Sequence, residues 1–171
     1  MKALLDTNII IHRETHRILN QDIGILFKWL DKTKYSKCIH PLTVEEIERN
    51  PNQETVASFQ AKMKSYEILA TVAPMSNEVL TISQQMDAND NDKNDSILLN
   101  ELYSNRVDIL ISEDKKIHQK AAAIGIGDRV FSINSFLEKM VAENPELAKY
   151  KVLNVKQQHF GQLDLEDPFF D

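Results

Sequence analysis

The chain has 171 residues, 42% hydrophobic and 27% charged, with a formal net charge of −6. That is about one domain by length, with the composition of an ordinary globular protein able to bury a core. The negative balance argues against an extended nucleic-acid groove, whose usual footprint is basic.

No apolar run approaches the ~18 residues of a membrane span. Asp6 and Asn8 interrupt the N-terminal apolar run too early for a signal peptide. A lone cysteine, Cys38, excludes an intrachain disulfide and a thiolate zinc cluster. Together these features lead to the expectation of a cytoplasmic protein. There are only four glycines, so no P-loop or nucleophile elbow can be built. Gly125 and Gly127 begin a GxGxxG pattern, but Val130 stands at its third place.

Taken in chain order, Lys2–Asp6 reads as a short apolar strand ending on a carboxylate. Gln21–Lys32 carries Ile23, Leu26, Phe27 and Leu30 at helical spacing, with Phe27 and Trp29 assigned to the core. Lys37–His40 reads as a strand, and Pro41 opens a helix stopped near Asn50-Pro51. Glu54–Leu69 and Asn77–Met86 read as helices. Ala88–Asp95, "ANDNDKND", is expected to be an acidic turn leading into a helix over Ser96–Tyr103. Val107–Ser112 is a buried strand, Asp114–Ile124 a helix ended by Gly125, Val130–Ser132 a strand and Ile133–Val141 a helix.

Strands alternating with helices imply an α/β fold with a parallel sheet covered on both faces. The pattern divides the chain into a domain over 1–143 and an extension or linker over 144–171, with a strand at Lys151–Val155. The ending Pro-Phe-Phe-Asp suggests a piece of a longer protein, and His159 receives no role.

Four carboxylates stand where a strand or loop feeds a helix: Asp6, Glu46, Asp95 and Asp114. Each has a structural explanation. Asp6 could form an Asx turn or cap a helix. Glu46 lies three after Thr43, as in a capping box. Asp95 or Asp92 could cap the following helix, and Asp114 the next one. Their conjunction suggests more. In a parallel sheet, ligands bind outside the carboxyl ends of the strands. Four like charges in one cleft need a cation, and hard oxygen ligands select magnesium or manganese. Such ions activate water and stabilise charge on a phosphodiester. Asn8 and Ser112 are placed to support these ligands by hydrogen bonding. Lys115, Lys116, Lys120 and His118 could meet phosphates or form a solvated helix face. Arg13 and His12 could approach a substrate or lie on the surface.

The segments "LLDTNIII", "LTVEEIER", "NDKNDSILLNELY" and "DILISEDKKIHQKAAAIGI", in that order, resemble the PIN-domain family of metal-dependent nucleases. The resemblance covers roughly residues 1–141. It implies a three-layer α/β/α fold with a short, mostly parallel sheet. It also implies a catalytic and metal-binding set of Asp6, Glu46, Asp95 and Asp114, with Asp92 as a further candidate. Glu45 competes with Glu46 for the second motif. Ser112 stands where threonine is common, and keeps the hydroxyl.

The implied activity is endonucleolytic cleavage of RNA, expected to be single-stranded, with Mg2+ or Mn2+ as cofactor. Arg13, Lys115 and Lys116 are the candidate substrate contacts. Many members are toxins, so a protein antitoxin is an implied partner. The tail "FGQLDLEDPFFD" resembles the linker into an N-acetyltransferase domain fused to some PIN domains. A homodimer also fits, and no membrane partner is expected.

The competing reading is a PIN fold kept for RNA or protein binding without turnover. A receiver-type signalling domain needs an aspartate ending a middle strand, yet none occurs between Asp31 and Asp87. A haloacid-dehalogenase-type phosphatase needs a second aspartate where Asn8 stands.

Overall fold

The computed structural model describes residues 1–15 and 21–149. The first strand, β1 (Lys2–Leu5), is paired on both sides by parallel strands, β2 (Ser36–Ile39) and β4 (Ile109–Ile111). Two short strands, β3 (Glu67–Ile68) and β5 (Val130–Phe131), complete the sheet in the order β3-β2-β1-β4-β5. All four pairings are parallel.

Side chains alternate across such a sheet, and both faces are apolar here. Leu4, Cys38, Leu110 and Val130 share one core with Leu98, Leu99 and Leu102 of α6 (Asp90–Tyr103) and Ile117 and Ala121 of α7 (Lys115–Ala123). Ala3, Leu5, Ile39, Ile109 and Ile111 point to the other core. That core is closed by α1 (Thr7–Glu14), α2 (Gln21–Lys32), α3 (Pro41–Glu48), α4 (Gln53–Lys62) and α8 (Ile133–Glu143). The remaining helix, α5 (Asn77–Met86), packs on α6 and α7. The fold is therefore a three-layer α/β/α arrangement, as expected. Among the described residues, no helix is long and apolar enough to cross a membrane.

From β1 the chain builds β2 and β3 on one side, then returns to place β4 on the other. The carboxyl ends of β1 and β4 thus lie side by side where the winding direction reverses. A crevice opens at such a reversal in α/β sheets.

Four elements differ from the sequence expectation, the first being α1, a helix over Thr7–Glu14 where none was expected. The helix foreseen over 54–69 stops at Lys62, followed by a 3-10 turn at Met63–Ser65 and then β3. Tertiary contacts override helical periodicity there: Leu69 N donates to Ile39 O at 3.0 Å, and Glu67 holds Lys2 at 2.6 Å. The acidic stretch 90–95 is not a turn but the start of α6. Asn89 caps it, its Oδ1 accepting from Asp92 N at 2.9 Å, and Asp90 and Asp92 in the first turn complement the helix dipole. Finally, the 3-10 turn Pro145–Lys149 follows α8, and Leu147 is buried in the core, past the expected boundary at 143. The strand expected at Lys151–Val155, His159 and the tail motif lie outside the described residues.

Candidate active site

Asp6 follows β1 directly and takes the N-cap position of α1 with extended backbone, but its side chain makes no cap bond. Its amide donates to Ile111 O of β4 at 3.1 Å, tying the two strand ends together. The carboxylate turns inward to Ser112, whose Oγ donates to Asp6 Oδ2 at 2.7 Å. The same Oγ accepts from Asp114 N at 3.0 Å. One hydroxyl thus links two of the carboxylate positions. Asp114 does cap its helix: Oδ1 accepts from Lys116 N at 2.6 Å and Ile117 N at 3.4 Å.

Glu46 does not belong to a capping box. His40 is the cap of α3, its Nδ1 accepting from Leu42 N at 3.1 Å, and Pro41 fills the first helical position. Proline fits there because that position needs no amide donor. Thr43 is therefore inside the helix and buried. Glu46 accepts from Thr7 Oγ1 on one oxygen and from Asn94 Nδ2 at 2.6 Å on the other. Glu45, its competitor, is exposed and pairs with Arg49 at 3.2 Å. Asp95 is no cap either, because α6 starts at Asp90 and carries Asp95 in its interior.

The four carboxylates line one cleft of about 760 Å³, together with Thr7, Asn8 and Arg49. Their mutual influence is electrostatic as well as spatial. Burial first, and then the charges of Asp6 and Asp114, push the Asp95 carboxyl up to about 7. Burial likewise pushes Asp6 up; the Ser112 hydrogen bond opposes this, while Asp114 and Glu46 add to it.

The remaining candidates are placed differently. Asp92 lines the cleft, but Lys116 Nζ sits on both of its oxygens at 2.9 and 2.8 Å. That bond holds Asp92 below the usual carboxylate range. Lys116 therefore meets Asp92, while Lys115 is exposed on the cleft lining. Arg13, expected near substrate, instead stacks on Phe27 at 3.7 Å and donates to Tyr66 Oη at 3.0 Å. Asn8 lines the cleft and is exposed. His118 Nε2 bonds Ser112 O at 2.9 Å. Lys120 is neither a phosphate contact nor part of a solvated face: it is fully buried, with Nζ 2.6 Å from Asp87 Oδ1. Phe27 and Trp29 are core residues, as expected.

Sequence reasoning missed Thr7, Asn94 and Arg49. Thr7 and Asn94 each stand beside an aspartate of the set, Asp6 and Asp95, and that adjacency was the available signal.

The donor chemistry of the cleft suits a hard cation: carboxylate, amide and hydroxyl oxygens line it, with neither thiolate nor imidazole. Among the described residues, no group of three His, Cys, Asp or Glu side chains is gathered as a ready metal site. Three of the four carboxylates, Glu46, Asp6 and Asp114, take hydroxyl, amide and backbone donors. Comparisons with protein-family models, with curated proteins and with solved structures find no match for the chain.

Proposed function

We propose that the chain is a metal-dependent endoribonuclease of the PIN type, cleaving single-stranded RNA. One observation carries the reading: four carboxylates from four separate elements line one cleft at the reversal point of a parallel sheet. Asp6, Glu46, Asp95 and Asp114 would hold magnesium or manganese. The ion would supply a nucleophilic water near neutral pH and offset charge on the phosphodiester.

The chain's own residues have distinct tasks. Ser112 aims the Asp6 carboxylate. The first amides of α7 fix Asp114 through one oxygen. Asp95, whose carboxyl is pushed up to about 7, would release its proton on binding a cation, so metal affinity would rise with pH. Arg49 and Lys115 offer donors to substrate phosphates from the cleft lining. With few cations there, a short single-stranded segment suits the cleft better than a long duplex.

The test is incubation of a mixed RNA pool, and a matching single-stranded DNA, with manganese and with chelator, alongside Asp114→Asn. Asparagine caps a helix about as well as aspartate, so α7 should remain intact. We expect manganese-dependent RNA cleavage that chelator abolishes and Asp114→Asn reduces at least about 100-fold. Equal cleavage by both proteins, or indifference to chelator, would place the activity outside this cleft. RNA binding without cleavage under manganese would favour the binding-module reading.

A further inference from the structure

We infer that Thr7 and Asn94 are positioning residues that hold Glu46 from both sides for a cation. The inference rests on the metal-dependent reading of the cleft. Thr7 is the first residue of α1, Glu46 lies in α3 and Asn94 in α6. Thr7 Oγ1 donates to Glu46 Oε2 and lies 3.1 Å from Thr43 Oγ1. Asn94 Nδ2 donates to Glu46 Oε1 at 2.6 Å. Three helices thus meet through one carboxylate, and each of its oxygens has a donor.

The kind of donor is informative. Four buried carboxylate side chains outside the set of Asp6, Glu46, Asp95 and Asp114 are each matched with a cation. Glu14 pairs with Lys62 at 2.7 Å, Asp87 with Lys120 at 2.6 Å, Glu101 with Arg106 at 3.0 Å and Asp92 with Lys116 at 2.8 Å. Glu46, Asp6 and Asp114 are served instead by an amide, hydroxyls and backbone N–H groups. A neutral donor fixes a carboxylate without cancelling its charge. Each carboxylate oxygen keeps lone-pair capacity after one hydrogen bond, so a bonded oxygen can still meet a cation. Partners of this kind orient metal ligands and strongly affect affinity.

The test is Mn2+ titration of the purified chain, following free Mn2+ by electron paramagnetic resonance, with melting curves in chelator. The variants are Asn94→Ala, Thr7→Val and Thr7→Ser. Asn94→Ala and Thr7→Val should each weaken Mn2+ binding about 10-fold or more. Thr7→Ser keeps the hydroxyl and should bind as wild type does. Alanine is the better residue inside a helix, so Asn94→Ala should melt in chelator no lower than wild type. Weaker binding by a variant that is no less stable is what a merely structural role cannot produce.

If wild type binds Mn2+ and both donor-lacking variants bind it equally well, the positioning role is overturned while the cleft reading stands. Lost affinity accompanied by an equal loss of metal-free stability in Asn94→Ala would also overturn it. If wild type binds no Mn2+, both readings fall. Should Thr7→Val fail to fold, Asn94→Ala decides alone.

Discussion

Burial, reinforced by Asp6 and Asp114, pushes the Asp95 carboxyl from an ordinary 3.8 up to about 7. The folded chain therefore binds this proton more tightly than the unfolded chain. The contribution of Asp95 to stability is greatest in acid and is lost as pH rises from 3.8 to about 7. Asparagine removes the titration. Without metal, Asp95→Asn should match wild type near pH 4 and exceed it by about 1 kcal/mol at pH 8, or ~2–4 °C in melting temperature. Added manganese should erase or reverse that gain, because metal stabilises only a form that binds it. Melting curves at both pH values, with and without manganese, measure this. A gain independent of pH would point away from the carboxylate charge. At this scale the sequence was informative about which acids gather in one cleft and poor about what holds them. Glu46 stands three after Thr43, a spacing equally compatible with a capping box, and only the stronger His40-Pro41 start removes that reading. Thr7 and Asn94 reach Glu46 across 39 and 48 residues, and no local pattern encodes such a contact.

Elements were legible where one amphipathic pattern ran between clear stops. The bounds of α2 and α5 agree with their periodicity, at Gln21–Lys32 and Asn77–Met86. They failed where two structures share one apolar rhythm, as at α4 and β3. There Tyr66 turns inward to donate to buried Glu14 at 3.0 Å and the helix ends. A further element-scale feature was invisible: Lys120, on α7, reaches Asp87 just beyond α5 and also donates to Asp92 O at 2.7 Å and Ser96 Oγ at 3.0 Å within α6. One ammonium ties three helices. Lys120→Met would strand a buried carboxylate and should cost about 3–5 kcal/mol in urea unfolding. The double variant Lys120→Met with Asp87→Leu should recover most of that loss, since a packed apolar pair can replace a buried ion pair. A double variant as weak as the single would mean that the hydrogen bonds to Asp92 and Ser96 carry the stabilisation, not the pairing of charges.

Across the whole molecule, the apolar strands revealed a parallel α/β fold, but not the strand order that brings Asp6 beside Ser112 and Asp114. That order also separates two ends of the sheet. The acidic cleft lies at the carboxyl ends of β1 and β4. At the opposite end, a second cavity of about 340 Å³ is bordered by Met1, Tyr35, Met140 and Leu147. Leu147 is 1% exposed and packs with the core beyond the end of α8. Ending the chain after Glu143 would remove it and uncover its neighbours. Burying one leucine is worth about 2 kcal/mol, so the chain 1–143 should melt ~4–8 °C below the chain 1–149. Mn2+ affinity should be the same in both shortened chains, because the change lies at the far end of the sheet from the carboxylates. Calorimetry and Mn2+ titration on the two chains test this together. Equal melting would show that Leu147 adds nothing to the core. A drop in Mn2+ affinity alongside the melting temperature would show that the two ends of the sheet are energetically coupled.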